Sequence, residues 1–161
     1  MEEEENVEIL LPTEALIPPY YIPDEGERIS LYQKLAAAED EKILSEFALD
    51  LREEYGEPPE SVQNLFMVLQ LKLVCRSVGV LRVKAEENRG VRTIILNLSQ
   101  RVTAKEVMQL LQGNAKWKIS SNTLRITEEA MGAEKLISDI RLLQKAKPVR
   151  QAQNKKEKQK E

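Results

Sequence analysis

Apolar positions along this chain change their period once, near residue 80: before it they recur at helical spacing, and after it they alternate. Ile29, Tyr32 and Leu35 or Ala36 share one helical face, which predicts a first helix running to about Ala37. Asp24 marks its start as N-cap, with Glu27 three residues on in capping-box position. A second helix opens at Glu39 or Asp40 and aligns Leu44, Phe47, Ala48, Leu51 and Tyr55 on one stripe. Gly56 then offers a left-handed position after its end, and the prolines at 58 and 59 prevent continuation. The third helix, from about Pro59 to Val78, reads "VQNLFMVLQLKLVC" through its centre and is apolar on most of its circumference, as expected of a helix packed on several sides.

Beyond Gly79 the strand period takes over. Val80 to Ala85 and Val91 to Leu98 read as a hairpin turning through the Glu-Glu-Asn-Arg-Gly stretch. Thr103 and Glu106 then form a capping box, with Val102 and Val107 placed as a hydrophobic staple, and the short helix they open stops at Gly113. A second hairpin, "AKWKI" and "TLRIT" around Ser120 to Asn122, precedes a last helix whose buried stripe is Leu136, Ile137, Ile140 and Leu143. The expected class is α+β: a three-helix half with a central apolar helix, followed by two strand-strand-helix units. Those units most simply make a four-stranded, mostly antiparallel sheet with helices on one face. A single domain over residues 1–146 is expected, with a helical half at 24–79 and a sheet half at 80–146. The Lys-rich tail at 147–161 lacks apolar periodicity and is expected to be disordered.

The front of the chain is built differently. An acidic lead runs into Val7–Leu11, a short apolar strand closed by Pro12, and Pro18, Pro19 and Pro23 then force extended backbone. Tyr20, Tyr21 and Ile22 sit inside this proline-rich strap and are expected to be partly buried against the helical half.

Charge divides the chain more sharply than its total of −3 implies. Residues 24–60 hold twelve acids against four bases, and residues 147–161 hold six bases against two acids. Cys75 has no second cysteine to pair with, and no apolar run resembles a signal peptide or a membrane span, so a reducing, cytosolic location is expected. Histidine is absent, which removes the usual general base and the commonest metal ligand. Phosphate-binding glycine loops are absent too, and the six glycines fall at apparent helix ends and turns. Trp117 and Cys75 read as core. No catalytic, cofactor or metal site is expected, and the chain is not expected to be an enzyme.

The remaining feature is "DLREEYGEPPE", which places Asp50, Glu53 and Glu54 along one edge of the second helix. One reading is charge for solubility. The other is a docking edge for a basic partner. Two longer stretches carry a resemblance: Ile17 to Ala36, "IPPYYIPDEGERISLYQKLA", and Leu51 to Pro59, "LREEYGEPP". Together they resemble the C-terminal domain of the bacterial transcription-repair coupling factor, over roughly Val7 to Ala146; the sheet half matches only in its order of elements.

That resemblance implies a regulatory domain of an ATP-driven DNA translocase. In the family it folds back on a UvrB-like module of the same protein, covers the surface recognised by the excision-repair protein UvrA, and restrains the motor. Asp50, Glu53 and Glu54 fall on the family's acidic docking edge, although relatives carry a base at the position of Glu54. The strap of Tyr20, Tyr21 and Ile22 ties the domain to itself. A monomer without membrane contact is implied. The main rival is a nucleic-acid-binding module that uses the sheet and the basic tail. Against it, residues 1–146 sum to −7, so no direct nucleic-acid binding is expected. A second rival, an enzyme working through carboxylates alone, requires a cleft with converging acids.

Overall fold

A computed structural model describes residues 6–113 and 117–129, together with residues 137, 140 and 141. The chain divides into two compact units: Pro12–Leu73, and Met1–Leu11 with Val74–Glu161. The division falls at Pro12, so the strand in the acidic lead separates from the strap that follows it.

The helical unit contains α1 (Glu25–Ala36), α2 (Glu41–Tyr55) and the first part of α3 (Glu60–Val78). Asp24 and Asp40 cap the first two, each accepting the N–H three residues on, from Glu27 and Ile43, at 2.8 Å. Each bond satisfies a donor that the first helical turn cannot, an effect worth about 1 kcal/mol. Leu35, Ala38 and Leu44 form one buried group, and Ile17, Tyr21, Ile22, Leu51 and Val62 another; Leu31, Leu65 and Phe66 pack against both.

The buried face of α1 differs from the expected one. Ile29 is 51% exposed and Tyr32 also faces outward, while Leu31 and Leu35 turn inward. Apolar residues at 29, 31, 32, 35 and 36 make two overlapping stripes on so short a helix. Its neighbours decide between them. Tyr32 is still engaged, since its hydroxyl oxygen accepts the Ile17 N–H at 2.6 Å.

In the sheet unit, β1 (Glu8–Leu10), β2 (Val80–Asn88), β3 (Val91–Leu98), β4 (Trp117–Ser120) and β5 (Thr123–Glu129) lie in the order β1-β2-β3-β5-β4. The sheet thus has five strands rather than four. β1 adds parallel to β2, with Ile9 opposite Val83, and the other pairings are antiparallel. One face is dry: Val83, Leu96 and Leu124 lie in a row across three strands, and Ile94, Ile126 and Trp117 in the next. Trp117 and Cys75 are core residues as expected.

The first hairpin is tighter than the expected loop. β2 continues to Asn88, and only Arg89 (φ 53°) and Gly90 (φ 78°) turn, the two left-handed positions of a type I′ connection. After it, α4 (Ala104–Gly113) starts where the Thr103 Oγ1 accepts the Glu106 N–H at 3.2 Å. Of the last expected helix, residues 137, 140 and 141 are helical, with Ile137 and Ile140 buried. Leu136, Leu143 and the tail at 147–161 lie outside the described residues.

Gly79 joins α3 to β2 and meets two demands at once. Its φ is +94°, and a Cβ there would stand 2.7 Å from Val102 Cγ2 and 3.2 Å from Ser99 Oγ. Its carbonyl also accepts the Ser99 N–H at 2.8 Å. We expect Gly79→Ala to destabilise by about 2 kcal/mol, combining left-handed strain with overpacking. Gly90→Ala, where a Cβ has open space, meets only the backbone term and should cost about 1 kcal/mol. Urea midpoints of the two variants check the order; equal shifts would remove the steric part of this account.

Candidate protein-docking groove

The proline strap shapes the helical unit at one end. Pro18 O accepts the N–H groups of Tyr21 and Ile22 at 3.0 and 3.2 Å, which closes a turn with Tyr20 at its tip. Tyr21 and Ile22 go inward, whereas Tyr20 sits at the tip and is 78% exposed, contrary to the expectation that all three would be partly buried. The Tyr21 ring lies 5.8 Å from the Tyr55 ring. Its hydroxyl points at two carbonyls at the end of α2, Gly56 O at 2.9 Å and Leu51 O at 3.2 Å. Burial pushes the Tyr21 phenol up, the charge of Glu57 adds to this, and Arg52 opposes it. The hydroxyl therefore stays a donor. Arg28 secures the other end of the strap, donating to Ile22 O and Pro23 O at 2.8 and 2.9 Å.

With the strap in place, α1 and α2 leave a groove of about 490 Å³ between them. Ile22, Leu31, Phe47 and Leu51 contribute apolar surface to its lining. Asp24 and Glu27 come from the α1 side, Asp50 and Glu54 from α2, and Lys34 is the one cation among the described lining residues. Tyr55 spans the gap. Its hydroxyl donates to Glu27 Oε2 at 2.7 Å, and this bond, followed by burial and the charges of Glu27 and Glu54, raises its pKa well above the usual phenol range. A positively charged side chain entering the groove would meet carboxylates from both helices and aliphatic or aromatic surface for its stem.

Of the three acids expected to form a docking edge, Asp50 and Glu54 line this groove, and Glu53 is exposed on the same helix outside it. Spacing along α2 could not show the opposing wall. Asp24 and Glu27 stood out in the sequence only as helix-capping residues. Asp24 does cap, but the Glu27 carboxylate turns to Tyr55, 28 residues away, instead of closing the box. Among the described residues no group of three or more histidine, cysteine, aspartate or glutamate side chains could hold a metal ion. No described helix is long and apolar enough to cross a membrane.

The architecture is that of an α+β domain in which a strapped three-helix unit carries an acidic groove and a separate unit carries a mixed sheet. The chain belongs to the family of transcription-repair coupling factor C-terminal domains: the TRCF domain family matches residues 11–107. Relatives include the transcription-repair-coupling factor of Mycobacterium bovis, 30% identical over 146 residues, which cover 89% of this chain and 12% of that protein. Another is the factor of Escherichia coli, 29% identical over 86 residues, covering 53% of this chain and 7% of that protein. The chain thus spans a small part of these proteins' length. Its fold is similar to the crystal structure of the C-terminal domain of a transcription-repair coupling factor, with TM-score 0.70 and 19% identity over 88% of this chain and 91% of that one.

Proposed function

We propose that this chain is the non-catalytic regulatory domain of a transcription-coupled DNA repair translocase. It docks through the acidic edge of α2 on the protein's own UvrB-like module, masks the UvrA-binding surface there, and restrains the motor. The observation that carries this reading is the convergence of Asp50 and Glu54 with Asp24 and Glu27 around a groove with apolar lining. Family membership supplies the context, and the charge of residues 24–60 supports a basic partner.

The partner chemistry follows from the groove. Arginine fits it better than lysine, because a planar guanidinium can bond a carboxylate with two donors and still lie against an aromatic ring. Binding of this chain to an isolated UvrB-like module, followed by calorimetry, tests the contact. Close charge pairs across an interface couple by about 1.5 kcal/mol or more. Replacing Asp50, Glu53 and Glu54 together by alanine should therefore weaken binding by at least about 100-fold, with Asp50 and Glu54 accounting for most of it. An affinity unchanged by the triple substitution would rule out this edge as the docking site.

A further inference from the structure

The second face of the sheet carries a feature that the docking groove does not use. Side chains opposite each other across the strands put Lys84, Ile95, Arg125 and Lys118 in one row, on the side away from Val83, Leu96 and Leu124. Lys84, Arg125 and Lys118 are exposed. Lys84 has a carboxylate beside it, Glu86 at 3.3 Å, and in the neighbouring row Arg82 has Glu8 at 3.9 Å. Arg125 and Lys118 face each other directly on adjacent strands, and neither has an ion pair with a described residue. Like charges directly opposite on neighbouring strands are destabilising, so this pair works against the hairpin that contains it.

We propose that this face binds the phosphate backbone of duplex nucleic acid. The chain's net acidity argued against such binding, but the acids and bases are segregated. Residues 74–129 hold ten bases against five acids, whereas the excess of acids lies in residues 24–60. Charges are screened over about 8 Å in physiological salt, so an arriving phosphate responds chiefly to the face it lands on. Strands stand about 4.8 Å apart, which makes the row from Lys84 to Lys118 about 14 Å long, comparable to four base steps of a duplex strand. Thr123 and Thr127 flank Arg125 two residues away on the same strand face and add hydroxyl donors. The duplex form is favoured over single strands because this row offers no ring for bases to stack on: Trp117 lies on the buried face.

Fluorescence anisotropy of a labelled 20-base-pair duplex, titrated with the whole chain at several salt concentrations, tests the proposal. Three phosphate contacts give a log-log salt slope near −2.7, so raising salt from about 50 to 200 mM should weaken binding about 40-fold. The double variant Lys118→Glu/Arg125→Glu exchanges one like-charge pair for another and should lose at least tenfold in affinity at about 50 mM salt; a urea midpoint close to the parent's shows that it folds. The Asp50→Ala/Glu53→Ala/Glu54→Ala variant should bind the duplex as well as the parent chain or better. Several outcomes would overturn the proposal: no binding at low salt, binding unaffected by the double variant but lost on deleting residues 147–161, or tighter binding to a single strand. Salt-sensitive self-association or binding to poly-glutamate without binding to DNA would instead assign the row to an acidic protein surface.

Discussion

Tyr21→Ala is expected to lower the stability of the domain by about 3 to 5 kcal/mol, the largest effect of any single substitution considered. Two losses combine. The ring is only 8% exposed and packs with Ile17, Ile22, Leu51 and Val62, so truncation leaves a cavity in the helical core. The hydroxyl also donates to Gly56 O, with Leu51 O slightly farther off, and so ties the strap to the chain just past the last turn of α2. Tyr21→Phe separates these contributions and should cost about 1 kcal/mol, the usual net worth of one hydrogen bond. Its neighbour is the control: Tyr20→Ala, at an exposed turn tip, should stay within about 0.5 kcal/mol. Chemical denaturation of the three variants checks the order. If Tyr20 and Tyr21 behaved alike, the strap would not be held as described.

The contrast between these adjacent tyrosines shows where sequence reasoning stops. The strap itself was legible, because three prolines and a capping aspartate leave few backbone options. Which tyrosine points inward depends on the turn closed by Pro18 O, and the two side chains share one chemistry, so composition could not separate them. The bounds of α2 and α3 were likewise legible from Asp40, Gly56 and the two prolines that follow.

The membership of β1 in the sheet was not. Val7–Leu11 read as a strand, but its partner β2 begins some seventy residues later, and pairing at that separation leaves no local mark. The inward face of α1 was misread because two apolar stripes overlap on it. The site was half legible: the α2 edge appears in spacing alone, but the α1 wall of the groove does not. Asp24 and Glu27 already had a sufficient local explanation as capping residues, and only the fold brings Glu27 to Tyr55.

The second large effect concerns release of the domain. Glu53 and Glu54 lie in the last turn of α2, where the helix dipole disfavours acids by a few tenths of a kcal/mol each. Replacing them and Asp50 by alanine should leave the isolated domain as stable as before or slightly more stable, while removing the charges proposed to hold it on its module. Stability and docking then move in opposite directions, which distinguishes lost contacts from a damaged fold. With two or more interfacial pairs lost at about 1.5 kcal/mol or more each, the docked state should fall by at least about 100-fold relative to the released one.

The most direct measurement is a titration of UvrA against a full-length coupling factor carrying this domain, in parent and triple-alanine forms. UvrA can bind only the released state in this account, so its apparent affinity rises with the population of that state. We expect the Asp50→Ala/Glu53→Ala/Glu54→Ala protein, with the domain shown to be folded, to bind UvrA at least tenfold more tightly than its parent. Equal affinities of the two forms would contradict the claim that this acidic edge keeps the UvrA-binding surface covered.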